Sequence, residues 1–277
     1  MFKKPDGAIF VIKGGLGNQL FQVAAGMNYS VKYEVPIMFD TQWYGENSNL
    51  SLNLEDFNIP INEFHQWKLD IKDTNLYSQK VSRVSNFKLP LYIEKDFTYS
   101  EIKHANRGAK FDGYWQSELY FLEIKNSIIK YFRNALTVES VPEINTIHIR
   151  RGDFLKLPYS NVHNLLLTSH YKRALEIFPE TSIKWEALIE NSSEVEPELV
   201  TFFERRGIEI ISGNTIKEDL SRLCSSERII LANSTFSWWG AFLSESKSVI
   251  APRNWFTPEH LRRNNVCDLF PDGWYLV

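Results

Sequence analysis

Between residues 145 and 251 strand-like and helix-like segments alternate, and this limits the fold more than any other feature of the chain. Runs at 145–150, 183–189, 208–212, 228–232 and 248–251 read as strands, and those at 169–177, 196–206, 216–224 and 236–244 as helices. Gly207 and Gly213 punctuate the series where helices and strands should end. Strands that alternate with helices build a parallel sheet with helices on its faces.

A second α/β series precedes it. "AIFVI" at 8–12 reads as a buried strand and runs into Gly14-Gly15-Leu16-Gly17-Asn18. A helix follows with Leu20, Val23, Ala24 and Met27 at helical spacing, and then a strand "VPIMFD" ending at Asp40. Residues 111–121 start as a strand and pass into a helix carrying Leu119, Leu122 and Ile129. Residues 41–110 have no regular pattern. With 277 residues, the two series predict two Rossmann-like domains of ordinary size facing across a cleft, 1–142 and 143–277, with the boundary near Val141-Pro142.

Bulk properties exclude several classes. An apolar content of 43% is ample for a packed core, and a net charge of −3 lacks the basic footprint of a general nucleic-acid binder. Cys224 and Cys267 have no ligand-pair spacing and predict neither a disulfide framework nor a zinc site. The N-terminus lacks a signal-type apolar run, and no segment reaches the roughly 20 apolar residues of a membrane helix. The chain reads as soluble and cytoplasmic, and a peripheral contact with the inner membrane stays compatible with it. The absence of His-x-x-x-His, Cys-cluster and Asp-x-Asp patterns predicts no metal and no bound cofactor.

Three strand ends carry the chemistry. The loop "KGGLGNQLF" offers Gly15, Gly17, Asn18 and Gln19 between a strand and a helix, where backbone N–H groups can meet a phosphate. Asn18 suits the helix N-cap and equally a ligand oxygen. A dinucleotide fingerprint with Asp40 on the ribose, as in an NAD-dependent oxidoreductase, is the rival reading, but Leu20 stands where the third glycine belongs. A tight turn without ligand is the plain alternative. In "IHIRRGDF", 147–154, His148 and Arg150 should share one side of a strand and Arg151 the other. Arg150 suits a diphosphate, since its fork matches two oxygens, whereas Arg151 and Asp153 read as a buried structural pair shaping the turn. In "IILANSTFSWWGAFL", 229–243, Asn233, Ser234, Thr235 and Ser237 gather at a helix start and form a candidate anion site. Trp238 and Trp239 read as core. Asp153, Glu118 and Asp40 are the candidate general bases, and nothing in their spacing separates them.

Taken together, "GGLGNQLFQ" at 14–22, "GYWQSELYF" at 113–121, "HIRRGDF" at 148–154, "NSTFSWWGAFL" at 233–243 and "VIAPRNWF" at 249–256 resemble, in order, the motifs of the α-1,2-fucosyltransferases of glycosyltransferase family 11. The resemblance spans most of the chain. It implies a GT-B fold with an acceptor-side first domain and a nucleotide-sugar-binding second domain. It further implies inverting, metal-independent transfer of L-fucose from GDP-fucose to a sugar hydroxyl of a glycan, lipid-linked acceptors included, in surface polysaccharide synthesis. By that similarity Arg150 holds the β-phosphate, His148 faces the nucleotide, Asn18 reaches the donor and Ser237 bonds the pyrophosphate.

One departure qualifies the donor. Family members commonly carry a Phe-Ser-Asp-Asp run after the strand that here reads "ALIENSSEV", 187–195, so Asn191, Ser192 and Ser193 stand where acids would read guanine. Glu190 or Glu194 compensates, or the donor is a different nucleotide sugar. A catalytically silent nucleotide- or sugar-binding protein is the remaining reading.

Overall fold

A computed structural model describes residues 7–46, 50–82, 89–106, 108–136, 144–157, 159–178, 182–244, 246, 248–262 and 264–277. The chain divides into two compact units. The first takes Met1–Ala135 and Asn265–Pro271, the second Leu136–Asn264 and Asp272–Val277. The expected boundary at 142/143 lies outside the described residues.

In the first unit β1 (Ala8–Val11), α1 (Leu16–Tyr33) and β2 (Ile37–Asp40) form the βαβ start. They are followed by α2 (Trp43–Glu46), β3 (His65–Asp70), β4 (Asn75–Lys80), β5 (Leu91–Ile93), β6 (Ala109–Asp112) and α3 (Lys125–Leu136). The sheet order is β4-β3-β2-β1-β6-β5. β1 lies parallel to both β2 and β6, while β3 runs antiparallel to β2 and β4 antiparallel to β3. The unit is therefore Rossmann-like at its centre and a hairpin at one edge. Helix α1 is buried on nearly every face because small residues let the sheet come close. A methyl on Gly26 would sit 2.6 Å from the Phe39 ring. Phe10, Tyr29 and Phe111 pack edge to face or tilted within 5.7 Å of one another and form the aromatic centre.

The second unit runs β7 (Asn145–His148), α4 (Thr168–Ile177), β8 (Trp185–Leu188), α5 (Pro197–Arg205), β9 (Glu209–Ile211), α6 (Ile216–Cys224), β10 (Arg228–Ile230), α7 (Thr235–Leu243), β11 (Ser248–Ala251), α8 (Pro258–Leu261) and β12 (Tyr275–Leu276). Its order is β12-β11-β10-β7-β8-β9, with every neighbouring pair parallel. The chain lays β7, β8 and β9 outward in one direction and then returns to place β10, β11 and β12 on the other side. Ile147, Ile149, Ala187, Ile230 and Ile250 from the sheet pack with Tyr171, Leu199 and Phe203 from the helices. Each isoleucine, leucine or phenylalanine among them contributes about 1.5–3 kcal/mol when fully removed from water. Both units are thus α/β layers, the class that the alternating segments predict.

Candidate functional site

In a doubly wound sheet the strand order reverses at one place, and two loops there diverge to opposite faces and leave a crevice. In the second unit that place lies beyond the carboxyl ends of β7 and β10. His148 and Arg150 leave β7 there, and Ala232 to Thr235 leave β10 and enter α7. The His148 ring lies 5.6 Å from Phe236 in the first turn of α7, so the two strand ends meet.

His148 is 6% exposed, and its Nδ1 is buried without a hydrogen-bond partner among the described residues. Burial, with the Arg150 charge beside it, holds the imidazole down at about 3, so it is neutral at neutral pH. Arg150 donates from Nη2 to Asp153 Oδ1 at 2.6 Å, and its Nη1 stands 3.5 Å from Glu190 Oε2. Its Nε is buried with no partner among the described residues, and the guanidinium lies over the Phe154 ring at 5.4 Å. The cation is therefore held through Nη2, while its buried Nε is left without a partner among the described residues.

Arg151 goes the other way. Its side chain is 0% exposed. Nε and Nη2 donate to the two carboxylate oxygens of Glu196 at 3.0 and 2.8 Å, and Nη1 and Nη2 also reach the carbonyls of Arg150 and Leu166. The expected buried ion pair exists, but the partner is Glu196, not Asp153, which pairs with Arg150 instead. After Arg151 the chain turns through Gly152 at φ +55°, whose N–H donates to Glu194 Oε2 at 2.7 Å. Glu194 thus shapes the turn, while Glu190, at the end of β8, is largely exposed.

The polar cluster at the start of α7 divides. Asn233 is 2% exposed, and its Nδ2 donates to the carbonyls of Asn164 and Trp255 at 2.8 and 2.9 Å. It ties two loops together. Ser237, expected to bond a pyrophosphate, is fully buried, and its hydroxyl donates inward to the carbonyls of Ala232 and Ser234. Ser234 is the N-cap without a side-chain cap bond, and Thr235 is half-buried. In this turn Asn233 and Ser237 bond the protein's own backbone, and the N–H groups of the first helical turn have no intrahelical partner and could meet an anion.

The first unit gathers its own set beyond β1, β5 and β6. Gly14 has φ +81°, and a methyl there would sit 2.6 Å from Asn18 Nδ2. The helix begins at Leu16 with Gly15 as N-cap, so Asn18 lies inside the first turn and is not the cap. Its Oδ1 accepts from Gln116 Nε2 at 2.9 Å. Gln19 is fully buried, with Nε2 donating to Gly14 and Ser51 carbonyls and Oε1 accepting from Asn53 N–H. Gln19 is a brace, and Gly17 lies buried within the helix. Lys13 pairs with Asp112 at 2.5 Å and lies over the Tyr114 ring. Glu94 accepts the N–H of Tyr114 at 2.6 Å and of Trp115 at 3.1 Å, and burial pushes its carboxyl up against the pull of those two donors.

Lys13, Gln22, Glu94, Asp112 and Gln116 are absent from the sequence-derived candidates. Gln22 and Gln116 lie within the motif stretches, but a glutamine next to a glycine loop gives no period or charge signal. The candidate bases are all engaged: Asp153 with Arg150, Glu118 with Lys125 at 2.6 Å, and Asp40 with Lys110 at 2.7 Å. Among the described residues no group of three or more His, Cys, Asp or Glu side chains converges that could hold a metal ion. No helix among the described residues is long and apolar enough to cross a membrane.

A neutral buried imidazole, a guanidinium with an unpartnered Nε and the amide end of a helix thus come together at the strand ends of an α/β unit. The model of the family described as Glycosyl transferase family 11 matches residues 9–276, and the chain belongs to that family. It is a glycosyltransferase. An alpha-1,2-colitosyltransferase of Escherichia coli is 29% identical, covering 96% of this chain and 97% of the relative. The O-antigen biosynthesis glycosyltransferase WbnK of Escherichia coli is 26% identical, covering 95% and 98%. Among solved structures, fucosyltransferase NodZ from Bradyrhizobium is 14% identical over 88% of this chain and 93% of its own, with a TM-score of 0.45. Heptosyltransferase WaaC of Escherichia coli with ADP is 10% identical over 98% and 92%, with a TM-score of 0.47.

Proposed function

We propose that the protein is an inverting glycosyltransferase that moves an L-fucose-type sugar from its GDP donor to a sugar hydroxyl of a surface glycan, forming an α-1,2 linkage. The observation that carries this is the pair at the end of β7: buried His148 with an unpartnered Nδ1 beside Arg150 with an unpartnered Nε. On this reading the second unit binds the nucleotide sugar and the first serves the acceptor. Breakage of the bond between the sugar C1 and the β-phosphate oxygen places charge on the departing GDP. Arg150 and the amide end of α7 are fixed donors that meet this charge more strongly in the transition state than in the ground state. Neutral His148 bonds the nucleotide without adding charge, and Asn18 supplies an N–H to an oxygen of the donor. The acceptor hydroxyl attacks the opposite face of C1 and loses its proton as the bond forms. Asp153, Glu118 and Asp40 remain the candidates to take that proton, the first after release from Arg150 by the incoming diphosphate. No metal is needed where guanidinium and helix amides already face the leaving group.

The name of the 29% identical relative supports a second donor. Colitose is L-fucose without the 3-hydroxyl, so the two GDP-sugars differ by one polar group. A panel of GDP-fucose, GDP-colitose, UDP- and ADP-sugars, assayed with a galactose-terminated acceptor and with excess chelator, tests the proposal. Turnover of a GDP-sugar in chelator supports it. Preference for a UDP- or ADP-sugar refutes the guanine assignment, and GDP binding without turnover of any donor leaves a silent binder.

A further inference from the structure

Two of the sequence motifs are bonded to each other inside the first unit, and the bond has a direction. Gln116 is 5% exposed and donates from Nε2 to Asn18 Oδ1 at 2.9 Å. Its own Oε1 is buried with no partner among the described residues. The loop that carries Gln116 is fixed on both sides. Gln22 Nε2 donates to the Gly113 carbonyl at 3.1 Å, and Glu94 accepts the N–H groups of Tyr114 and Trp115. Trp115 holds a left-handed φ of 54°, and the Ser117 hydroxyl caps Leu119 N–H at 3.2 Å. On the other side, the backbone of Gly14 leaves no room for a methyl beneath the Asn18 amide.

Such an arrangement is poorly suited to stability alone. A buried amide with one end unpartnered is costly, and an apolar side chain of equal volume avoids the cost. It does suit the setting of an amide. The two ends of an asparagine side chain have nearly the same shape and opposite hydrogen-bonding character. A donor pointed at Oδ1 keeps that oxygen inward and leaves the N–H₂ end for a ligand.

We infer that Gln116 is a positioning residue that orients the half-exposed Asn18 so that it presents N–H, not C=O, to an oxygen of the nucleotide sugar. This rests on the reading of Asn18 as a donor-binding residue. Gln116 touches no reacting atom and acts only through the amide that it holds.

Three variants test the inference: Gln116→Glu, Gln116→Leu and Asn18→Ala. Each is measured by kcat and KM for GDP-fucose, or the GDP-sugar that turns over, from about pH 4.5 to about pH 9, together with Tm. The ionised carboxylate of the Gln116→Glu variant can only accept, so it draws Asn18 Nδ2 inward and turns the carbonyl toward the ligand. At the alkaline end kcat/KM should fall about 10- to 100-fold. Toward acid the carboxyl takes up a proton, donates again and should recover activity relative to the unmodified protein. Gln116→Leu should lose activity at every pH while its Tm is unchanged or higher. Asn18→Ala separates the two readings. If Asn18→Ala keeps full activity, the assignment of Asn18 fails. If Asn18→Ala loses activity while both Gln116 variants stay within about twofold at alkaline pH, the positioning role is overturned. A Gln116→Leu variant with lowered Tm and unchanged activity per folded molecule assigns Gln116 a structural role and overturns it equally.

Discussion

Removal of the Arg150 guanidinium is the perturbation that reads the proposed site most directly. Its Nη2 bonds Asp153 at 2.6 Å, and both side chains are about a third exposed, 29% and 32%. A pair that exposed contributes no more than about 1 kcal/mol, so Arg150→Ala should cost little stability. Diphosphate binding is different. A fork meeting two phosphate oxygens beside the buried His148 ring is desolvated, and truncation of such a partner costs about 2–5 kcal/mol. Competition from Asp153 in the free state offsets about 1 kcal/mol of that. The net loss should lie near 1–4 kcal/mol, a GDP affinity about 5- to 900-fold weaker. Arg150→Lys restores the charge but not the fork, and should recover only part of the loss. Asp153→Asn releases the guanidinium, so GDP should bind as well or better, whereas a role as base requires a fall in kcat. Calorimetric titration with GDP, beside thermal melts for folding, gives these numbers. A folded Arg150→Ala protein with unchanged GDP affinity refutes the argument.

Glu196→Ala leaves the wholly buried Arg151 with the carbonyls of Arg150 and Leu166 but without a carboxylate. Because Glu196 itself is 37% exposed, the expected loss is about 2–3 kcal/mol, seen as a lower urea midpoint, and an unchanged midpoint sinks the claim that this pair holds the turn. Gly14→Ala forces a side chain into a left-handed turn against Asn18, and should cost about 1–2 kcal/mol in stability and lower activity further. Ser237→Ala removes a hydroxyl that serves the turn. It should lower stability by about 1 kcal/mol and leave GDP affinity within about twofold, so a larger affinity loss would show that the hydroxyl reaches the ligand. His148, His163 and His170 are held neutral by burial at about 3, about 4 and about 4. A histidine depressed in the folded state stabilises fully above its unfolded value of about 6.5 and loses that contribution as pH falls toward the folded value. Each should therefore cost about 1–2 kcal/mol between pH 7 and 5, and a flat urea midpoint over that range contradicts the assignment.

The second unit was legible because a parallel sheet covered on both faces needs strands that are themselves apolar, and Ile147, Ile230 and Ile250 declare it. The hairpin β3–β4 left no such mark. Its cross-strand pairs include His65 with Lys80 and Gln66 with Gln79, and β5 is exposed along its whole length. Local pattern also fixed Arg150 and His148 at a strand end. It could not find the partner of Arg151, because Glu196 is 45 residues away and only the fold brings them together. Of the two readings of Asn18 the cap fails, because Gly15 begins the helix without any side-chain bond, a start that has no residue signature. Local pattern places Asn233 at the turn and Ser237 in the first helical turn, as the structure does, but composition does not reveal whether a hydroxyl or amide faces a ligand or its own backbone.

The assignment of Asn265–Pro271 to the first unit, with both flanks in the second, has a consequence for dissection of the protein. Asp268 accepts the Tyr99 N–H at 2.8 Å, so the segment is fastened where it sits. Neither unit is a continuous piece of chain. A fragment ending at 135 lacks a clasp, and one starting at 136 carries a strap whose fastening is missing. Ribosomal synthesis meets the same order, since the first unit must wait for residues 265–271 before it is complete, and a premature stop near residue 264 should damage the half that was translated first.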